Sequence, residues 1–115
     1  MLSLTDRASI RAAARDPTIA PAVRAVLRLR HGQLGGGAGA HFHVVRPGDT
    51  LADAEAAVGW PMTLEGSPGW EWIERHGPVA EAVFILSDGG PAQVLLVPDD
   101  ACPSITSLLR EHAAG

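Results

Sequence analysis

The chain has 115 residues, of which 46% are hydrophobic and 19% are charged, and its mean hydropathy is +0.11. This length suits one compact domain with a short extra segment, and this composition excludes a disordered chain. No stretch approaches the roughly 18 unbroken apolar residues of a membrane-spanning helix, so we expect no membrane span and no membrane partner.

Charge is unevenly distributed along the chain. Residues 1–30 carry six arginines and two aspartates, a net charge of +4, whereas the remainder carries three arginines and eleven carboxylates, a net charge of −8. The six arginines are Arg7, Arg11, Arg15, Arg24, Arg28 and Arg30. A basic arm of this kind binds nucleic acid, an anionic membrane or an acidic partner, or it docks on the acidic body of its own chain or of a second copy. Because the arm lacks the lysines and aromatic residues of a nucleic-acid surface, we expect docking.

The single cysteine and the N-terminus indicate the compartment. Cys102 excludes an internal disulfide and a cysteine zinc cluster, which fits a reducing environment. The N-terminus lacks the continuous apolar run of a secretory signal. All nine basic residues are arginine, and glycine and proline are abundant, as in a GC-rich coding sequence. We therefore expect a cytoplasmic bacterial protein.

The N-terminal third predicts two helices and a connector. Thr5 is a suitable N-cap for a helix over 6–15, which ends before Pro17 because the residue preceding proline avoids the helical conformation. Thr18 caps a second helix, whose apolar stripe must be buried against another surface, of this chain or of a second copy. The stripe consists of Ile19, Val23, Val26 and Leu27. The glycine-rich run at 35–40 predicts a flexible linker.

The remainder predicts short strands and helices. Residues 41–45 are rich in strand-forming side chains and end at a turn that leads into a helix over 51–58. A second short helix is predicted over 70–76. Two apolar runs, 82–86 and 93–97, flank turn residues and predict a β-hairpin. A last helix is predicted over 104–113.

These elements have the order ααβααββα and predict an α+β fold. We expect a small, mainly antiparallel sheet of about three strands, covered on one face by the three helices of the body. The predicted organisation is an arm at 1–34, a linker at 35–40 and an α+β domain at 41–115. Because the apolar stripe needs a partner and the linker would permit exchange between copies, we predict a homodimer.

Two resemblances follow from short motifs. Residues 42–51, with the sequence Phe-His-Val-Val-Arg-Pro-Gly-Asp-Thr-Leu, resemble the opening of a LysM peptidoglycan-binding module, in which a strand, a turn and a helix start occur in this order. The chain departs from the LysM pattern after this helix, and a turn leading into a capped helix selects the same residues. We therefore attribute the likeness to turn chemistry.

The second resemblance extends over 42–113. Besides 42–51, it includes Glu-Trp-Ile-Glu-Arg-His-Gly at 71–77, Phe-Ile-Leu-Ser-Asp-Gly-Gly at 84–90 and Val-Pro-Asp-Asp at 97–100. In these motifs the chain resembles a group of small bacterial proteins of unknown function. The resemblance implies one domain over 41–115 and no particular chemistry.

A histidine pair is the candidate metal site. His41 and His43 are two residues apart on a predicted strand, so both rings point to one face, as a metal pair requires. Asp49, His31 or His76 would supply a third ligand if the fold brings one of them near. The alternative is two solvated histidines beside a glycine linker, and we expect no resident cofactor.

Tryptophans are the candidate partner-binding residues. Trp70 and Trp72 would point about 200° apart on a helix, so one of them is expected to be an exposed anchor. The alternative is a tryptophan lid over the sheet. The predicted partner surface comprises Trp60, Trp70, Trp72, Arg24 and Arg28.

Catalytic motifs are not recognisable. Glu71 and Glu74 in the first turn of a predicted helix are explained by the helix dipole. No serine lies in the sequence context of a nucleophile elbow, so nothing in the sequence favours an enzyme. We expect a non-enzymatic protein-interaction or accessory module. The alternatives are a protein that binds a metal or small ligand at His41, His43 and Asp49, and a nucleic-acid-binding protein that uses the arm's arginines.

Overall fold

The computed structural model describes residues 1–33, 39–62, 70–85 and 91–114, in which the chain forms a five-stranded mixed sheet and four helices. The elements are β1 (Leu2–Leu4), α1 (Arg7–Ala14), α2 (Pro21–Gln33), β2 (Ala40–Val44), α3 (Leu51–Val58), β3 (Trp70–His76), β4 (Val79–Phe84), β5 (Ala92–Pro98) and α4 (Pro103–Ala114). None of the helices in these ranges combines the length and apolar character that crossing a bilayer requires.

The strands are arranged in the order β1-β2-β5-β4-β3. β2 and β5 are parallel, and every other neighbouring pair is antiparallel. β3 and β4 form a hairpin whose turn contains Gly77 at φ +58°, a left-handed conformation that favours glycine. The sheet therefore ends at β1 on one side and at β3 on the other.

One face of the sheet packs against α1 and α2. Side chains of both helices are buried against β2, β4 and β5 in a single apolar cluster. Val23, Val26 and Leu27 are buried in this cluster, and Ile19 packs against it. Of the two predicted docking surfaces, the chain's own body or a second copy, the structure thus shows the first for this stripe. The predicted homodimer loses this support.

The opposite face packs against α3 and α4. Thr50 accepts a hydrogen bond from the Asp53 backbone N–H, and the Asp53 side chain accepts one from the Thr50 N–H, which forms a capping box at the start of α3. The helix ends at Gly59, whose φ of +76° again favours glycine. The capping box and Gly59 thus define the two ends of α3.

The structure is α+β as predicted, but the predicted architecture is wrong in three respects. The sheet has five strands and is mixed, not three-stranded and antiparallel, and helices cover both of its faces. Residues 70–76 form β3, not a helix, because pairing with β4 decides the conformation of a segment bounded by glycine and proline. The element order is βααβαβββα, not ααβααββα.

Two further differences have simple causes. β1 has only three residues, which is too short for a recognisable apolar alternation, yet it pairs with β2 and contributes Leu4 to the core. The strands of the predicted hairpin do pair with each other as β4 and β5, but β5 also pairs in parallel with β2. The connection between β4 and β5 and most of the predicted linker lie outside the described residues.

Candidate functional site

A fully buried carboxylate lies in the middle of the sheet. Glu81 of β4 is 0% exposed and faces α2, on the same side of the strand as Val79 and Val83. An isolated buried charge is very costly, so it requires a charged or hydrogen-bonding partner. Arg30, in the last part of α2, supplies that partner: its Nε donates to Oε1 at 2.8 Å and to Oε2 at 3.0 Å.

Two side chains of β3 complete a charged cluster around this pair. Glu74 is directly opposite Glu81 in the β3–β4 register, and His76 follows two residues later on the same face. The terminal nitrogen of Arg30 contacts Glu74 and lies 2.7 Å from Glu81 Oε1. His76 Nε2 lies 3.2 Å from Glu81 Oε1 and 3.8 Å from Glu74 Oε2. We call Arg30, Glu74, His76 and Glu81 the charged cluster.

Trp72 packs on the charged cluster and is itself partly exposed to solvent. The guanidinium carbon of Arg30 lies 3.9 Å from the centre of a Trp72 ring, which is a close cation–π contact. Trp72 remains 36% exposed. Arg30 is therefore held from two directions, by carboxylates inside the protein and by an aromatic ring at its surface.

The other tryptophans are packed into the structure. Trp70 is buried and lies edge-to-face with Phe84, with the ring centres 5.5 Å apart. Trp60 is half-buried against the α3/α4 core. Of the three tryptophans predicted to bind a partner, Trp72 is the exposed one.

The histidine pair forms a hydrogen-bonded network with Gln93. His43 is buried, its Nε2 lies 2.7 Å from Gln93 Oε1, and its Nδ1 lies 2.9 Å from the Ser3 hydroxyl. Gln93 Nε2 lies 3.3 Å from His41 Nδ1. Burial lowers the pKa of His43, which favours the neutral ring. The two histidines do share a region of the structure, but their ring nitrogens contact Gln93 and Ser3.

Asp49 is engaged elsewhere. Its carboxylate accepts a hydrogen bond from the Arg46 backbone N–H at 2.8 Å and lies 3.0 Å from the terminal ammonium group of Met1. The Arg46 hydrogen bond is the main reason that the pKa of Asp49 is lowered. Within the described parts of the chain, the three ligand atoms that converge belong to Glu74, His76 and Glu81, and the histidine pair with Asp49 forms no such group. The His31 side chain lies outside the described residues.

The two arginines predicted to contact a partner bind the chain's own backbone. Arg24 Nε donates to the Ile19 carbonyl at 3.0 Å, and Arg28 donates to the Ala14 carbonyl at 2.9 Å. The second bond satisfies a carbonyl at the end of α1 and links it to α2. These two arginines thus stabilise the helical pair.

Sequence reasoning did not identify the charged cluster. The signal that was present is a single carboxylate, Glu81, within the apolar run Val-Ala-Glu-Ala-Val-Phe. Recognition of its β3 partners required the strand assignment of 70–76, because only a strand places Glu74 and His76 on one face. Comparison of the chain with family models, curated proteins and solved structures finds no match. The function must therefore be argued from the site itself.

Proposed function

We propose that this chain is a protein-interaction module and that its partner binds the open face around Trp72, at the β3 edge of the sheet. The observation that carries the proposal is the stacking of partly exposed Trp72 on Arg30, whose guanidinium is anchored by Glu74 and Glu81. Tryptophan and arginine are the residues most enriched in binding hot spots. A cytoplasmic location is part of the proposal, supported by the free cysteine Cys102.

The anchoring of Arg30 favours binding because it orders the surface in advance. A mobile arginine or tryptophan loses rotamer freedom when a partner immobilises it, at a cost of roughly 0.5–1.5 kcal/mol per side chain. Here Arg30 is almost completely buried, and Trp72 is stacked on it before any partner arrives. Both side chains are therefore immobilised during folding, so binding of a partner loses less side-chain entropy.

The outer edge of β3 offers backbone groups to an extended segment. β3 is seven residues long and ends the sheet, so no strand in the described ranges pairs with its outer side. An edge strand of this length provides a template on which another chain adds by main-chain hydrogen bonds. Trp72 lies on this strand and would contact a side chain of the added segment.

Among the described residues, two further large apolar side chains are exposed besides Trp72. Leu29, which is 46% exposed, precedes Arg30 in α2. Ile85, which is 59% exposed, lies two residues beyond Val83, the cross-strand partner of Trp72. These three side chains are the large apolar residues that the described part of the chain leaves exposed. They favour a partner that carries apolar side chains of its own.

The charge of this surface indicates which polar side chains the partner carries. The Glu74 side chain is 45% exposed on the same face as Trp72, and the chain beyond residue 30 carries a net charge of −8. Complementary charge accelerates association and excludes acidic competitors. The proposed partner is therefore an extended protein segment in which apolar side chains alternate with lysine or arginine.

The test uses labelled synthetic peptides and the full chain. A short peptide that alternates valine with lysine is titrated with the protein while its fluorescence anisotropy is followed, and a peptide that alternates valine with glutamate serves as the control. We expect the basic peptide to bind more tightly. Trp72→Ala should weaken that binding by roughly tenfold or more, because it removes the proposed hot spot. Glu74→Gln should weaken it, whereas Glu111→Gln, at an exposed glutamate of α4, should not.

Three results of the peptide titration would overturn the proposal. The first is failure of the basic peptide to bind, and the second is equal binding of the two peptides. The third is that the Trp72→Ala variant binds the basic peptide as tightly as the natural chain does. Sedimentation of the protein without peptide tests whether a second copy of the chain binds this face instead. A dimer that dissociates on Trp72→Ala would assign this face to self-association and reject a basic partner segment.

A further inference from the structure

We propose that Glu74, His76 and Glu81 form a binding site for a divalent transition-metal ion such as Zn²⁺, which enters in competition with the guanidinium of Arg30. One ligand atom from each of the three side chains lies within 4.8 Å of the other two. The site is distinct from the histidine pair that the sequence suggested. It does not depend on the proposed protein partner.

The separations between the ligand atoms suit a metal ion. Bonds of about 2.0–2.2 Å from Zn²⁺ to nitrogen and oxygen place neighbouring ligand atoms about 3–4 Å apart. His76 Nε2 lies 3.2 Å from Glu81 Oε1 and 3.8 Å from Glu74 Oε2. The Glu74 side chain is the most exposed of the three, so it is the one that would adjust as the ion displaces the guanidinium.

The ligand types specify the class of metal. Two carboxylate oxygens and one imidazole nitrogen form a mixed set, which suits Zn²⁺ and related first-row ions better than Mg²⁺ or Ca²⁺, since these prefer oxygen ligands only. His76 Nε2 points at Glu81, so the ring nitrogen already faces the interior of the cluster. Three protein ligands would leave further coordination positions for water or another ligand.

Arg30 shows that a cation is stable at this position. Its terminal nitrogen contacts both Glu74 and Glu81, which places positive charge between the two carboxylates. Arg30 Nε also contacts both oxygens of Glu81, and the guanidinium is a rigid plane, so an ion that displaces the terminal nitrogen must shift the whole group. Because the Glu74 side chain is half-exposed, an ion would reach the site from solvent. The guanidinium is the competitor that limits its affinity.

The experiment is titration of the full chain with ZnCl₂ by isothermal calorimetry near neutral pH. We expect binding of about one equivalent of Zn²⁺. His76→Gln and Glu74→Gln each remove one ligand and should weaken binding by about tenfold or more, since even residues behind the ligands commonly contribute 10-fold to 100-fold. Arg30→Met removes the competing cation and should strengthen binding. His41→Ala and Glu111→Gln should leave the affinity unchanged.

Each contrary result rejects the site. Absence of Zn²⁺ binding in the natural chain, or affinity that is unchanged in His76→Gln, would overturn the proposal. Loss of binding in His41→Ala with retention in His76→Gln would move the metal to the histidine pair. If Arg30→Met does not fold, the variants of half-exposed Glu74 and partly buried His76 still decide the outcome. Failure of the peptide test would not affect this one, because the titration involves metal alone.

Discussion

Trp70 and Trp72 occupy opposite faces of the sheet, although a single residue separates them. Trp70 packs edge-to-face on Phe84 in the α3/α4 core, whereas Trp72 stacks on Arg30 of α2. Side chains two apart on a regular strand share a face, but the β3–β4 register shifts between these two residues. The irregularity of β3 is therefore what brings one tryptophan to the surface.

The two tryptophans should contribute very differently to stability. We expect Trp70→Ala to lower the free energy of unfolding by about 3–5 kcal/mol, because it leaves a cavity in the core. Trp72→Ala should cost about 1 kcal/mol, mainly from the lost contact with Arg30. Urea denaturation followed by far-UV circular dichroism measures both values. Equal losses would contradict the placement of the rings.

The pairing of Arg30 with Glu81 makes single and double replacements behave differently. We expect Glu81→Gln to lower the free energy of unfolding by about 3 kcal/mol, because it leaves a buried guanidinium without its main counter-charge. The double variant Arg30→Met/Glu81→Leu should lose less than this, since no buried charge remains unpaired. Chemical denaturation of the two variants and of Glu111→Gln as the surface control provides the comparison. A double variant less stable than the single one would contradict the interpretation.

The stability of the protein should decrease as the pH falls from 7.5 to 5.5, in part because of His43. Burial lowers the pKa of this ring below its ordinary value of 6.5, the neighbouring His41 adds to the lowering, and the hydrogen bond with Gln93 opposes it. Near pH 6 the unfolded chain is therefore more often protonated at His43 than the folded chain is. Protonation of the unfolded state draws the equilibrium towards unfolding.

Replacement of the ring isolates this contribution. We expect His43→Gln to have a smaller change in unfolding free energy between pH 7.5 and 5.5 than the natural chain, whatever its absolute stability. Urea denaturation at several pH values within this window is the measurement. The window lies above the range in which carboxylates with lowered pKa, such as those of Asp6, Asp16, Asp49 and Asp99, lose their charge. Parallel pH profiles would show that His43 is protonated equally in both states.

The capping box of α3 should be worth a measurable amount of stability. Thr50→Ala removes the side-chain acceptor of the Asp53 N–H and should lower the free energy of unfolding by about 1 kcal/mol. Thr50→Ser retains a hydroxyl and should stay close to the natural value. Thermal unfolding of the two variants compares them directly, and equal melting temperatures would argue against a capping role.

Local patterns in the sequence predicted part of the fold because they reflect local physics. The turn before Thr50, the helix that follows and the apolar runs of β4 and β5 each arise from interactions within a few residues, and the structure contains all of them. β3 escaped prediction because its conformation depends on pairing with β4. β1 escaped because three residues are too few to show a period.

The charged cluster was beyond prediction for a related reason. Arg30 and Glu81 are 51 positions apart, and only the packing of α2 on β4 brings them together. Arg30 lies three residues after Leu27 and so continues the buried stripe of its helix. In the sequence, however, its positive charge groups it with the other arginines of the basic arm, which are expected at the surface. The predicted surface residue Trp72 is exposed, although on a strand and not on a helix.

The parallel pairing of β2 with β5 also determines when the sheet is completed during synthesis. Ala40 pairs with Ala92, so β2 leaves the ribosome about 50 residues before its partner, a delay of roughly 3–10 s at an elongation rate of about 5–20 residues per second. Throughout that interval Phe42 and Val44 lack the strand that covers their flank in the native state. The nascent chain must keep an incomplete apolar sheet from aggregating until β5 emerges. Fragments that end before Ala92 should therefore be insoluble.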